Sequence, residues 1–209
     1  MQNCPYNNTC VKRTCDLACR KFAEFEHWSR RCGFSVKNSV LNASVKELQR
    51  ADTIIQKSMN DEDNSESNYR HISVCKDSKS QYTADLISYV AICKYCKDIG
   101  FYHGVYKLNF SQYLETLKAS WSSRETPQEL EDMKMWISAA KYLVIYNMGL
   151  VRFGDFESQT LLTIFQERYT DSNYTILVLE KGDYSLPGKI DSLFYKKLKS
   201  EVTSRGVSV

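Results

Sequence analysis

Cys4, Cys10, Cys15 and Cys19 hold half of the chain's eight cysteines in its first nineteen residues, spaced Cys-x5-Cys-x4-Cys-x3-Cys. Four thiolates from so short a segment can close tetrahedrally on one zinc ion, and a segment of that size has too little core to order itself without metal. Lys12, Arg13, Arg20 and Lys21 lie among and just after these cysteines and would offset the negative charge of a four-thiolate site. An iron–sulfur cluster uses the same ligand type and is the less favoured alternative. Free or disulfide-paired thiols are the remaining one. His27 and Cys32 are candidate substitutes for one ligand, although a histidine beside aromatics on a helix is more often simply packed. Cys93 and Cys96 form a separate Cys-x-x-Cys. Redox use of such a pair needs a helix amino terminus, where the dipole lowers the first thiol's pKa. Here the pair ends an apolar stripe with Leu86 and Val90, so two buried spectators are expected.

The 209 residues are 43% hydrophobic and 25% charged, enough for one medium globular domain with a small appendage. No run approaches the ~20 apolar residues of a membrane helix, and the amino terminus has no apolar signal-peptide core, which predicts a cytoplasmic protein without a membrane partner. Residues 1–60 carry ten Lys or Arg against five acids, whereas residues 61–70 carry four acids against one Arg. Only the amino-terminal quarter is basic.

The elements that must position these groups follow from periodicity. Ala18, Phe22 and Phe25 recur at helical spacing, and Ser44 with Glu47 makes a capping box for a second helix through Leu48, Ile54 and Ile55. Met59 to Asn68 is polar, acidic and aperiodic. After it, strands and helices alternate. Ile72–Val74 and Gly104–Leu108 are expected strands, and Leu86/Val90/Cys93 and Phe110/Leu114/Leu117 mark helices. Pro127 opens another helix reaching about Ala140. The unbroken apolar runs Tyr142–Tyr146 and Tyr174–Leu179 are expected to be strands buried on both faces. A helix with Leu161, Leu162 and Phe165 lies between them, and one with Ile190, Leu193, Phe194 and Leu198 follows. This alternation predicts a parallel sheet covered by helices.

The order of elements is that of a P-loop nucleotide-binding domain, and the chain resembles the DnaC-type helicase loaders of bacteria and phages, a family of AAA+ ATPases. The resemblance is carried by the Cys4–Gly33 segment, with its Cys-Pro start, clustered cysteines and aromatic helix, and by Tyr142–Lys199. Leu143-Val144-Ile145-Tyr146-Asn147-Met148-Gly149 takes the place of the family's Walker B strand. Gln166-Glu167-Arg168-Tyr169 is similar to the helix end before its sensor strand, which Thr175–Leu179 would supply. The resemblance implies residues 1–57 as a cysteine-rich zinc-binding helical module, 58–70 as an acidic linker or loop, and 71–209 as an AAA+-like α/β domain.

The departures bear on chemistry. A working P-loop reads G-x-x-x-x-G-K-[ST], with glycines admitting backbone amides to the phosphates. After Ile72–Val74 this chain reads Lys76-Asp77-Ser78-Lys79-Ser80-Gln81-Tyr82-Thr83, where only Thr83 fits and Lys76 and Lys79 are displaced relics. At the Walker B position Tyr146-Asn147 replaces the acidic pair that would hold magnesium. Glu180 follows the sensor strand where the family has a polar Asn. Lys196, Lys197 and Lys199 lie where the family carries an arginine, and lysine lacks its bidentate fork. ATP is therefore not expected as a cofactor, nor hydrolysis as an activity. The resemblance then implies a non-catalytic helicase-loader-like factor in phage or mobile-element DNA replication, in the cytoplasm of a bacterial host. Its partner would be a replicative helicase or a catalytic AAA+ loader subunit; DNA is a further candidate, and assembly into an oligomer is compatible with it. The alternative is a zinc-containing DNA- or protein-binding regulator using Lys12, Arg13, Arg20, Lys21, Arg30 and Arg31. Steep salt dependence of DNA binding separates it from the first reading.

The cysteine spacing makes the first prediction. Protein purified without chelator or oxidant should carry about one zinc per chain, and changing Cys10 and Cys15 to Ser should abolish it in elemental analysis. Metal-free wild-type protein would refute the zinc assignment.

Overall fold

The computed structural model describes residues 19–34, 38–59, 72–96, 104–122, 127–148, 154–168 and 173–180. Cys4, Cys10 and Cys15, the acidic stretch from Asn60, and the helix expected over Ile190 to Leu198 lie outside the described residues. The first helices are α1 (Arg20–Arg31), the short α2 (Asn38–Leu41) and α3 (Val45–Met59). The expected cap of α3 is formed: the Ser44 N–H donates to Glu47 Oε2 at 2.8 Å, and the Glu47 N–H donates to Ser44 Oγ at 3.3 Å. These hydrogen bonds hold the Glu47 carboxyl below its ordinary range. Ser58 and Met59 are helical, so α3 extends into the segment expected as linker.

The alternation then follows as β1 (Ile72–Lys76), α4 (Ser80–Val90), a π-helical turn (Ala91–Tyr95), β2 (Val105–Asn109), α5 (Phe110–Ser120), α6 (Gln128–Ala139), β3 (Tyr142–Tyr146), α7 (Asp155–Glu167) and β4 (Tyr174–Leu179). Asn109 caps α5 by accepting the Gln112 N–H. The four strands form one all-parallel sheet in the order β1-β4-β3-β2. Val144 sits opposite Ile176 on β4 and Lys107 on β2. The step from β1 to β2 crosses the whole sheet in one direction, and the steps to β3 and β4 return in the other. Because such crossovers are right-handed, the two directions place their helices on opposite faces.

The core divides accordingly. Tyr142, Val144, Tyr146, Ile176 and Val178 face α1, α3 and α4. Leu143, Ile145, Leu177 and Leu179 face α5, α6 and α7. Every residue of β3 is buried, as its unbroken apolar run predicts. On the α4 face, α1 and α3, drawn from the segment expected as a separate module, share one core with the sheet through Phe25, Ile54 and Ile55. Asp52 on α3 accepts from Lys94 Nζ and Tyr95 Oη, both at 2.6 Å, and so fastens the π-helical turn. No helix of the described residues is long and apolar enough to cross a membrane.

Two long-range devices close the fold. The end of α1 turns through Gly33 at φ 81°, with the Phe34 N–H returning to Ser29 O at 3.0 Å and the Gly33 N–H to Arg30 O at 3.1 Å, a Schellman ending. The Cys32 carbonyl then accepts the Lys107 N–H at 2.8 Å, covering the outer edge of β2. A Cβ at Gly33 would stand 2.2 Å from Lys107 O, so no other residue fits there. On the second side Arg168 is buried at 3% exposure. It donates to the carbonyls of Ile137, Ala140 (2.8 Å) and Tyr174 (3.0 Å) and to Thr175 Oγ1 (3.1 Å). One guanidinium thereby satisfies the last carbonyls of α6 and pins the start of β4. Burial pulls its pKa down to about 9.

Arg168→Ala should lower the unfolding free energy by about 3 kcal/mol, because several buried carbonyls lose their donor together. Urea denaturation reads this, and a loss below about 1 kcal/mol would contradict the assigned role.

Candidate functional site

In open parallel sheets ligands bind outside the carboxyl ends of the strands. Here that edge carries a cleft of about 380 Å3. Its walls come from the β1–α4 turn and the first turns of α4 (Ser78, Lys79, Ser80, Asp85), from the residue after β3 (Asn147) and from the residue after β4 (Glu180), with Ser39 of α2 at the rim. Gln81 and Tyr82 complete the lining, and Tyr82 brings an aromatic ring to side chains that are otherwise polar or charged.

The connection from β1 to α4 is only Asp77-Ser78-Lys79. A phosphate-cradling loop needs about six residues from its first glycine to its second. The short turn is tied down internally. Asp77 Oδ1 accepts the Lys79 N–H at 2.9 Å, Asp77 Oδ2 pairs with Arg50 Nη1 at 3.1 Å, and the Asp77 N–H donates to Leu179 O at 2.9 Å. At the start of α4 the Ser80 hydroxyl donates to Glu180 Oε1 at 2.7 Å. The place where a phosphate would meet free backbone N–H groups thus carries two of the chain's own carboxylates.

Of Lys76, Lys79, Thr83, Tyr146 and Asn147, which the sequence singles out, Lys79 and Asn147 line the cleft. Lys76 ends β1 half-buried, and Thr83 is buried in the first turn of α4; neither lines the cleft. Tyr146 is buried at the end of β3. Asn147 follows it at φ 57°, a left-handed conformation that Asn tolerates better than most residues. Neither residue carries a carboxylate.

Beneath the cleft lies a pair that sequence reasoning missed. Lys107 on β2 and Asp85 on α4 meet at 2.7 Å with side chains 3% and 5% exposed, and Lys107 Nζ stands 4.4 Å from the Tyr146 ring centroid. The available signal was a lone Lys within Val-Tyr-Lys-Leu and a lone Asp within Ala-Asp-Leu-Ile, charges set in otherwise apolar runs.

Cys19 precedes α1, partly buried against the α4-side core. Among the described residues no group of three or more His, Cys, Asp or Glu side chains could hold a metal ion. Cys93 lies in the π-helical turn and Cys96 ends it, at the carboxyl end of the helix as expected, but Cys96 is buried while Cys93 is only partly so. Burial pushes the Cys96 thiol up to about 12, and that of Cys32 likewise.

Comparison with family models, with curated proteins and with solved structures finds no match. The class defined by fold and site is an α/β protein with a four-stranded parallel sheet, compatible with a P-loop-like fold.

The thiol environments predict reactivity. A pKa near 12 in place of 9.0 leaves about a thousandfold less thiolate at pH 8. Cys32 and Cys96 should therefore resist iodoacetamide at pH 8 in the native protein and label fully in denaturant, read by peptide mass spectrometry. Rapid native labelling of Cys96 would contradict their burial.

Proposed function

We propose that the chain is a non-catalytic, helicase-loader-like factor of DNA replication, acting through protein contacts with a replicative helicase or a catalytic AAA+ loader subunit. The amino-terminal cysteines would hold zinc and stiffen a partner-binding segment, and the sheet domain would serve as a scaffold or as an inactive subunit in an AAA+ assembly. The strand order β1-β4-β3-β2, with β1 leading into α4 and β3 in the Walker B place, supports the P-loop relationship. The resemblance of the Cys4–Gly33 and Tyr142–Lys199 segments supports the family.

One observation carries the non-catalytic reading: the three-residue β1–α4 turn, closed by Asp77 and faced by Glu180. Phosphoryl transfer depends on positioning and electrostatic stabilisation of the phosphates. A turn this short has no amide cradle, and carboxylates at the helix start repel the charge that a cradle would attract. Tyr146-Asn147 adds no ligand for magnesium.

Isothermal titration with ATP and magnesium should show no binding up to millimolar nucleotide, and Asn147→Asp should restore neither binding nor hydrolysis. Micromolar affinity in the wild type would overturn the reading. The partner is sought by affinity purification from the native host, where a replicative helicase or AAA+ subunit should co-elute without added nucleotide.

A further inference from the structure

The helices on the two faces of the sheet carry opposite charge. α5, α6 and α7 hold seven acidic residues against two lysines, a net −5. On the other face nine of the eleven residues of α4 are buried, so α1 and α3 supply the outer surface. There α1 to α3 hold seven Lys or Arg against four acids, a net +3. Each layer also shows apolar surface among its charges. Val45, Trp121 and Met135 are the exposed large hydrophobics among the described residues. Val45 opens α3 on the basic layer. Trp121 follows α5 and rests edge-on against Phe156 of α7, with ring centroids 4.8 Å apart. Met135 lies on α6, one helical turn from Glu131 and Asp132. An exposed Trp braced by a second ring is the kind of anchor that carries binding energy, and the charge around it sets which surface it accepts.

We propose that copies of this chain associate head to tail, the acidic α5–α7 layer of one copy seating on the basic α1–α3 layer of the next. A two-fold dimer would set one patch against itself, acid on acid or base on base, and like charges juxtaposed across an interface repel. Opposite layers meet only in a heterologous contact. Such a contact leaves a free layer at each end, so association continues past two copies to a ring or an open filament. The contact uses neither the cleft nor a nucleotide, and it stands independently of the helicase-loader reading.

Sedimentation equilibrium of the full chain tests it. In low salt the weight-average mass should rise with protein concentration beyond that of two copies. Sodium chloride at about 1 M, which screens charges beyond ~3 Å, should return it to one copy. Glu131→Lys with Asp132→Lys reverses two exposed acids of α6, and Lys46→Glu with Lys57→Glu reverses two exposed lysines about three turns apart on one side of α3. Each double variant loses most of the opposition between its layers and should stay monomeric. Mixed in equal amounts, the intact basic layer of the first meets the intact acidic layer of the second, and the mass should reach that of two copies and stop there. A wild type that stays monomeric in low salt, or that stops at two copies, overturns the proposal. Variants that associate as the wild type does overturn it as well, and so does a mixture of folded variants that stays monomeric. If either variant fails to fold by circular dichroism, the wild-type mass and its salt dependence decide alone.

Discussion

A parallel sheet cannot leave either face in water, because each of its strands is built from side chains that alternate between two buried surfaces. Tyr142–Tyr146 states the constraint most sharply, with all five residues buried and consecutive side chains committed to opposite cores. The crossovers after β2 and β3 cover one face with α5, α6 and α7, but on the other α4 is the one crossover helix among the described residues. A single eleven-residue helix cannot roof four strands. The remaining cover comes from α1 and α3, which precede the sheet in sequence and bury Phe22, Phe25, Ile54 and Ile55 beside α4. The segment after the cysteine cluster is thus part of the sheet's roof as well as the chain's basic end. Cys19, the last of the four clustered cysteines, leads directly into α1, whose end reaches the edge of β2, where Cys32 and Gly33 meet Lys107.

The same covering sets the character of the cleft. Three ion-pair or hydrogen-bond contacts, Arg50–Asp77, Ser80–Glu180 and Lys107–Asp85, pair charges and a helix-start hydroxyl at or beside this cleft from within the chain. A nucleotide would have to displace contacts already made, across a turn too short to wrap a phosphate. Loss of a single motif lysine leaves a weakened site. Here the short turn, its Asp77 carboxylate and Glu180 after β4 all disfavour a polyanion.

Local patterns were legible. The apolar runs of β3 and β4, the Ser44–Glu47 cap and the helix after Pro127 each depend on neighbours within a few residues, and the chain states them directly. So did the absence of glycines and of a P-loop lysine after β1. The tertiary pairings were not legible. Lys107 and Asp85 are 22 residues apart, Arg50 and Asp77 pair between α3 and the β1–α4 turn, and Arg168 gathers carbonyls from the end of α6 and the start of β4. Composition marks each as an isolated charge; only the crossover geometry shows which charge answers which. The expected division near residue 57 has the same origin. A drop in hydrophobicity beyond Met59 reads as a boundary in sequence, while α3 before it packs on the strand after it.

The central claim is that the β1–α4 turn is complete without a nucleotide. Hydrogen exchange at the amides of residues 77–85, followed with and without millimolar ATP and magnesium, tests it where the phosphates would lie. The account predicts superimposable exchange under the two conditions, with the Lys79 amide slow in both because Asp77 accepts its hydrogen. Nucleotide-dependent protection of Lys79, Ser80 and Gln81 would show phosphate seated at the start of α4, and would contradict it.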